Sequence, residues 1–436
     1  MQRRVFMKNG ALALVTMGLS PTLLRRTIFA QDLIGGAASL GNTRGKVLIC
    51  LFQRGAADAL NVVVPHGEQA YYRLRPNIAV PRPTLATQNA AIDLDGFFGL
   101  HPSLAPFKAL WTQGILAPVH AVGSPSSTRS HFDAQDYMES GTPDAKGTRD
   151  GWLNRYLATK GTCEQCSGPG AMGSGNSQSS EQKAQSLFRA VSMTQQTPRI
   201  LMGPSASIAM NSIEEFAIRS NGPGAANVEA MYAGGGSDVV HAAGGEMLEA
   251  MKILRSANPL QYQPRTGAEY PRSPFGQRLR EIAQLVKADV GVEVAFADVG
   301  GWDTHVNQGG ATGQLALRLD DFAKSIGALV ADLGDRMADV IILTMSEFGR
   351  TARQNGSGGT DHGHAGCLFV IGGAVKGGKV HGHWPGLEPE QLNEGRDLAL
   401  TTDFRSVFGE VVRKHLGATT LDRIFPGFAA KDLGLL

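Results

Sequence analysis

Carboxylate and imidazole side chains recur at short spacing in two segments of this sequence. Asp303 and His305 are separated by one residue, and the segment 359–364 reads Gly-Thr-Asp-His-Gly-His. Carboxylate oxygens and imidazole nitrogens together suit zinc, manganese or iron as ligands. A single such Asp is more often a helix cap, and a single such His is more often a satisfied polar residue. Because the two types cluster here, the sequence predicts a site for one or two divalent metal ions.

The candidate ligands follow predicted strands. In open parallel α/β sheets, ligands bind beyond the carboxyl ends of the strands. We expect the segments 303–305 and 361–364 to flank strands that are adjacent in the sheet. The candidate metal ligands are Asp58, Asp303, His305, Glu347, Asp361, His362 and His364.

Three residues are candidates for catalysis. Ser130 begins a predicted helix. Its hydroxyl either caps that helix or, beside a metal, attacks a phosphoryl or sulfuryl centre. His131 is the neighbouring candidate, and Arg350 would bind an oxyanion bidentately.

The elements that must position these residues alternate between strands and helices. Continuous apolar runs such as 46–52 and 340–345 are typical of strands buried on both faces. Further strands are predicted at 115–122, 188–193, 292–299 and 367–371, and helices at 103–113, 130–140, 151–160, 315–333 and 403–416. This alternation predicts an α/β fold with a doubly wound, mainly parallel sheet. We expect one domain over 45–436, with a mainly helical insertion at 163–290 that opens with a Gly/Ser-rich loop at 163–180.

Composition and charge exclude several classes of protein. Hydrophobic residues make up 42% of the 436 residues, which argues against wholesale disorder, and only 18% are charged, which argues against a coiled coil. The net charge of +2 depends on residues 1–30, which hold five cations and no acid. Without them, 36 basic residues face 39 acidic ones, so no nucleic-acid partner is expected.

Residues 1–30 have the features of a signal peptide. Arg3 and Arg4 precede a short apolar run over 10–19, which matches the twin-arginine export pattern. The alternatives are an uncleaved membrane anchor or a basic start that arose by chance, but the run is too short to span a bilayer comfortably. We therefore expect the twin-arginine export machinery to carry the protein to the periplasm or out of the cell, with no stable membrane span in the mature form.

Several motifs together resemble one bacterial family. After the leader come FQRGAADALNVVVP, SHFDAQDYMESG, GWLNRYL, GGWDTH, MSEFGRT and GTDHGH, in this order. They resemble the family called domain of unknown function 1501, which is similar to the alkaline-phosphatase and sulfatase superfamily. The resemblance implies an alkaline-phosphatase-like fold with metals at the strand ends.

The resemblance also implies roles for individual residues. Asp58 matches the metal-binding Asp after the first strand, and Ser130 falls where those enzymes place the nucleophile. Asp303 and His305 resemble their Asp/His pair, with one intervening residue where the phosphatases have three. Phe348 stands where a His is expected, and Asp361 with His362 supplies an Asp/His pair from the following loop.

These observations predict an exported, metal-dependent hydrolase of phosphate or sulfate esters. Its substrate would be a small-molecule or glycan ester, with one metal activating the nucleophile and another stabilising the leaving oxygen. The alternative is a non-catalytic envelope or glycan-binding protein on the same fold. The departures at Phe348 and in the Asp303–His305 spacing favour that alternative.

Overall fold

The computed structural model describes residues 45–83, 89–161, 188–216, 254 and 261–436. The predicted signal peptide and the Gly/Ser-rich loop at 163–180 lie outside the described residues, as does most of the predicted insertion. The chain divides into two compact units. One includes Arg149–Gln263 and Glu281–Ala295, and the other consists of Lys46–Thr148, Pro264–Arg280 and Phe296–Leu436.

A large, mainly parallel sheet with helices makes the chain an α/β protein. In the second unit its strands follow the order β11-β5-β10-β9-β1-β8. Their bounds are β1 (Val47–Gln53), β5 (Leu116–Gly123), β8 (Val294–Val299), β9 (Val340–Met345), β10 (Gly366–Gly372) and β11 (Thr402–Asp403). Every residue of β1 and β9 is buried, as their unbroken apolar runs predict for strands covered on both faces. The predicted strands are confirmed to within two or three residues at their ends.

One strand of the sheet runs against the expected direction. β10 is antiparallel to both neighbours, β5 and β9, whereas β1 and β9 are parallel. The beginning of β10 therefore lies at the edge where β9 ends, and the connection 346–365 stays along that edge. The expectation that segments 303–305 and 361–364 flank adjacent strands is wrong, because β1 lies between β8 and β9.

Short helices and a second, small sheet complete the second unit. The small sheet has the order β2-β4-β3, and its strands are β2 (Val63–Val64), β3 (Ile92–Asp93) and β4 (Gly99–Leu100). The helices are α1 (Ala59–Val62), α2 (Gln69–Leu74), α3 (Ala105–Thr112), α4 (His131–Ser140), α8 (Gln314–Leu333), α9 (Phe404–Lys414) and α10 (Leu421–Ile424), with 3-10 turns at Pro102–Leu104, Gly334–Asp339 and Pro389–Gln391. The long helix α8 buries one apolar face, which its 3.6-residue periodicity predicts.

The first unit is described in part. It contains α5 (Trp152–Gly161), β6 (Ala190–Ser192), a 3-10 turn (Arg199–Leu201), β7 (Ile208–Ala209) and α6 (Ile213–Phe216). β6 and β7 pair in parallel. Helix α7 (Pro274–Lys287) and strand β8 include residues of both units. Among the described residues, no helix is long and apolar enough to cross a lipid bilayer.

A fully buried ion pair joins the loops of the second unit. Asp58 follows β1, and its two carboxylate oxygens accept hydrogen bonds from Arg75 Nη1 (2.6 Å) and Nη2 (2.8 Å). Arg75 also donates to the carbonyls of Thr351 (2.8 Å) and Ala352 (2.9 Å) and to Asn61 Oδ1 (2.8 Å). All five guanidinium N–H groups are thus used, which is the condition for a buried charge to be tolerated.

Gln308 extends this network to two more loops. Its Nε2 donates to Asp58 Oδ2 (2.6 Å), and its Oε1 accepts from the hydroxyls of Thr304 and Thr360, both at 2.8 Å. The loops after β1, β8 and β9 are therefore held by one continuous set of buried hydrogen bonds.

We expect Arg75→Met to lower the free energy of unfolding by about 3–5 kcal/mol, because it leaves the buried Asp58 carboxylate without its partner. Urea denaturation would measure the change. Arg73→Met, on the same helix, is the matched control: the Arg73–Glu388 pair is half exposed, so its loss should cost about 1 kcal/mol or less. Equal effects of the two substitutions would contradict the role given to Arg75.

Candidate metal centre

Three histidines and one aspartate meet at the loop edge of the sheet. His131 is the first residue of α4, Asp303 and His305 follow β8, and His362 lies between β9 and β10. The Nε2 atom of His362 is 3.0 Å from Nε2 of His131 and 2.9 Å from Nε2 of His305. All four side chains belong to the second unit.

Asp303 completes this cluster with one carboxylate oxygen. Its Oδ1 lies 2.9 Å from Nε2 of His305, 3.3 Å from Nε2 of His362 and 3.5 Å from Nε2 of His131. Ligand atoms of His131, Asp303 and His362 all lie within 4.8 Å of one another, a grouping that could hold a metal ion. We call His131, Asp303, His305 and His362 the candidate metal centre, shortened below to the metal centre.

The hydrogen bonds behind the histidines determine which ring nitrogen carries a proton. Nδ1 of His131 faces Glu347 Oε1 at 2.8 Å, Nδ1 of His305 faces Asp361 Oδ1 at 3.0 Å, and Nδ1 of His362 faces the Arg129 carbonyl at 2.8 Å. Ionised carboxylates and carbonyls only accept hydrogen bonds, so each Nδ1 must donate. The neutral form of each ring then has a lone pair on Nε2.

Nε2 of His362 therefore faces the acceptor nitrogens of both His131 and His305 at about 3 Å, an arrangement that is repulsive unless a cation lies among them. His131, Asp303 and His362 group closely enough for one ion, and Nε2 of His305 lies 2.9 Å from ligand atoms of two of them. Imidazole nitrogens with a carboxylate oxygen suit zinc, manganese or iron. Histidines that bind metals nearly always donate their other N–H to a carboxylate or a carbonyl, as all three do here. The donor set fits one divalent transition-metal ion.

The pKa directions of two centre histidines agree with this geometry. The hydrogen bond to Glu347 raises the pKa of His131, against the opposing effect of burial. Burial lowers the pKa of His362, and the positive charge of His131 lowers it further, although the Arg129 carbonyl opposes this. The two rings differ because a carboxylate lies behind His131 and a neutral carbonyl lies behind His362.

Glu347 and Asp361 orient the histidines from behind. Glu347 is buried, and its Oε1 also accepts from the main-chain N–H of Gly55 (2.8 Å) and from Nε2 of Gln135 (2.9 Å). Burial alone would raise the pKa of Glu347, but these hydrogen bonds and the one from His131 lower it below its usual range. Asp361 Oδ1 likewise accepts from Asn355 Nδ2 at 3.0 Å. Glu347 and Asp361, which were both predicted to bind the metal, therefore contact the Nδ1 atoms of His131 and His305 instead.

Two other predicted ligands have different surroundings. Both oxygens of Asp58 are engaged by Arg75 and one also by Gln308, so Asp58 is committed to the buried network. His364 is half-buried, and the charges nearest to it are those of Asp397, Arg129 and Glu394. Within the described part of the chain, no side-chain contact joins either residue to the metal centre.

Arg350 contacts the metal centre, and one of its donor groups, Nη2, has no partner among the described residues. It is 1% exposed, and its Nη1 donates to Asp303 Oδ1 at 2.7 Å while its Nε donates to Thr360 Oγ1 at 3.2 Å. Its Nη2 is buried and makes no hydrogen bond to any described residue. Burial raises the pKa of Asp303, but the contact with Arg350 more than offsets this and lowers it.

Ser130 is the N-cap residue of α4, as expected, but its side chain makes no capping hydrogen bond. The residues on either side both contact the metal centre, since Arg129 supplies a carbonyl to His362 and His131 belongs to the centre. The exposed Ser130 hydroxyl thus has no capping role that would prevent it from acting on a ligand.

Phe348, which stands where the resemblance implies a His, packs against the centre. Its ring stacks on that of His131, with centroids 4.9 Å apart and planes 29° apart. The apolar ring covers one face of His131 and so holds it in place without contributing a ligand.

Two glycines permit the loops to approach so closely. A Cβ at Gly55, whose φ is +118°, would lie 2.7 Å from the main-chain nitrogen of Asp303. A Cβ at Gly359 would lie 2.3 Å from the carbonyl oxygen of His305. Any side chain at either position would therefore push Asp303 or His305 out of position.

Two residues that hold the centre in place, Arg129 and Gln135, were not predicted from the sequence. The carbonyl of Arg129 gives no signal in a sequence, because any residue has one. Gln135 did give a signal: it is four residues after His131, the spacing that places two side chains on the same face of a helix.

We expect the purified protein to contain one divalent transition-metal ion per chain by elemental analysis. Asp303→Ala combined with His362→Ala should abolish binding and lower the thermal midpoint, because an ion bound only to the native state adds about 3 kcal/mol at about 100 times its dissociation constant. His364→Ala is the control and should retain the ion. A chelated wild type with an unchanged midpoint would refute the centre.

Comparison with known proteins places the chain in a family. No curated protein matches it. The model of the family described as "Protein of unknown function (DUF1501)" matches residues 45–423, which include the whole metal centre and all of the strands described above. Because this match covers most of the chain, the protein belongs to the DUF1501 family.

Proposed function

We propose that the protein is an exported, metal-dependent hydrolase of phosphate or sulfate esters. The observation that carries this proposal is the convergence of three histidine Nε2 atoms and Asp303 Oδ1 beside the spare donor of Arg350. The histidine nitrogens and the aspartate oxygen suit a metal cation, and the arginine donor suits an oxyanion. A phosphate or sulfate ester has negatively charged oxygens that can bind both a metal cation and an arginine.

Each residue has a distinct task in this proposal. His131, Asp303, His305 and His362 would hold the ion, which when bound supplies Lewis-acid stabilisation of the developing negative charge. Arg350 would donate its free Nη2 to an oxygen of the ester group, at a point buried enough to strengthen that hydrogen bond.

Ser130 is the proposed nucleophile. Its exposed hydroxyl adjoins His131 at the beginning of a ten-residue helix. The main-chain N–H groups at this end and the helix dipole favour the approach of an anion. Its backbone neighbours are fixed by their contacts with Glu347 and His362, so its own position is well defined.

The same arrangement supports placement in the alkaline-phosphatase and sulfatase superfamily. The ligands come from loops at one edge of a mainly parallel sheet, where α/β enzymes bind their ligands. We propose one ion instead of two, because Asp58, which would ligate the second, is engaged by Arg75 and Gln308.

This engagement of Asp58 also favours the second candidate, a non-catalytic envelope or glycan-binding protein on the same fold. A single ion can anchor an anionic ligand without turning it over. Measuring turnover separates the two candidates.

We expect metal-loaded protein to hydrolyse 4-nitrophenyl phosphate or 4-nitrophenyl sulfate, and Ser130→Ala to lower the rate at least about 100-fold with metal content unchanged. Ser273→Ala is the matched control, since this serine caps α7 through the N–H of Gly276. Its loss should cost about 1 kcal/mol of stability and no activity. Absence of turnover of both esters by wild type would favour the binding protein.

The proposal includes export through the twin-arginine route, on the evidence of the leader sequence. Changing Arg3 and Arg4 to lysine should leave the protein in the cytoplasm, because that machinery requires the arginine pair. The same double change at Arg25 and Arg26 is the control and should leave export intact. Cell fractionation would measure both, and unimpaired export of the first variant would disprove the route.

A further inference from the structure

A pocket lies beside the metal centre in the second unit. Its volume is about 380 Å³, which is within the range of pockets that hold small ligands. It is lined by part of α2, by the loop 351–355 and by the segment 387–396. The lining mixes aliphatic side chains such as Leu74 and Leu392 with the amides of Gln354 and Asn355, and includes no aromatic ring.

Two residues belong to both the pocket and the surroundings of the metal centre. Asp361 lines the pocket and accepts the hydrogen bond from Nδ1 of His305. Arg396 also lines the pocket, and its Nη2 donates to the main-chain carbonyl of His362 at 2.8 Å. The pocket therefore lies next to the metal centre, separated from it by Asp361 and the main chain of His362.

The charges of the lining favour an anion. Three arginines line the pocket against two carboxylates, Asp361 and Glu388. Arg73 pairs with Glu388 at 2.6 Å, and Arg396 pairs with Asp397 at 3.1 Å. Arg353 is exposed and forms no ion pair with any described residue, so its guanidinium is free to bind a ligand. A guanidinium binds carboxylates and phosphates bidentately, and a sulfate group presents its oxygens in the same tetrahedral geometry as a phosphate.

We propose that this pocket binds a second anionic group of the substrate, a carboxylate or sulfate on a polar scaffold the size of one or two sugar rings, with Arg353 as its main contact. The inference rests on the proposed function in one respect, that the ester group lies at the metal centre. The substrate class is then a multiply charged ester, and Arg353 determines specificity without taking part in the chemistry.

Isothermal titration calorimetry on the metal-loaded full chain carrying Ser130→Ala tests this assignment, because the charged probe is itself a sulfate ester that the proposed nucleophile would hydrolyse. The probes are a disaccharide of glucuronic acid and sulfated N-acetylgalactosamine, and the same disaccharide without its sulfate and with its carboxylate reduced. We expect the charged disaccharide to bind at least about tenfold more tightly. Arg353→Gln should weaken its binding about three- to fivefold and leave the neutral disaccharide unaffected.

Two control variants distinguish a failure of the pocket assignment from a failure of the proposed function. Arg423→Gln removes an exposed arginine outside the pocket and should leave both affinities unchanged. His362→Ala removes a ligand of the metal centre but keeps the carbonyl that Arg396 contacts, so the difference between the probes should persist without metal or turnover. If the esters are not hydrolysed but this difference in affinity persists, the pocket assignment holds and the proposed function is wrong.

Three outcomes would overturn the assignment. These are equal affinities for the charged and neutral probes, equal effects of the Arg353 and Arg423 substitutions, and no binding of the charged probe at about 10 mM.

Discussion

The buried ion pair between Asp58 and Arg75 is the constraint on which the metal centre depends. Removing two charges from water is costly, and the cost is offset only where every donor finds an acceptor. Arg75 meets that condition by bonding to the main chain at 351–352, and Asp58 meets it by bonding to Gln308. Gln308 in turn holds Thr304 and Thr360. These bonds leave the loops that carry Asp303, His305, Arg350 and His362 little freedom to move independently. A network that stabilises the fold therefore also sets the geometry of the site.

The electrostatics of the metal centre are opposite in sign: Asp58 and Arg75 attract each other, whereas the acceptor atoms of the centre repel one another. Its Nε2 and Oδ1 atoms are held close together by partners on their far sides, so these acceptor atoms repel one another and a bound cation would stabilise them. Preorganisation of this kind raises affinity for an ion, because the ligands are not reoriented when it binds. The stacking of Phe348 on His131 serves the same end, since it fixes the ring plane. Arg350 limits the negative charge by pairing with Asp303, which leaves the centre able to accept an anion as well.

Three arginines, Arg75, Arg350 and Arg353, differ in their exposure to solvent. This difference suits each of them to a different role. Arg75 is fully paired and buried, so it can only be structural. Arg350 is equally buried but keeps one donor without a partner among the described residues, which in a low-dielectric setting would give a strong and directional contact with the proposed oxyanion. Arg353 is exposed and solvated, so it discriminates between ligands by charge more than it adds to affinity. An anionic ester with a second charge would meet the last two in turn.

The sequence by itself determined the strands and the pairs of site residues that are closest in the chain. Fully apolar runs such as 47–52 and 340–345 can be buried on both faces of a sheet whatever their neighbours are, so β1 and β9 were predictable. Asp303 with His305 and Asp361 with His362 are close in sequence, so they could hardly be far apart in space. Tertiary structure alone decided the direction of β10, because strand pairing depends on residues far away in the chain. It also decided that His131 joins the centre while Asp58 does not. A carboxylate binds whichever cation is nearest, and Arg75 reaches Asp58 only once α2 has folded against the end of β1.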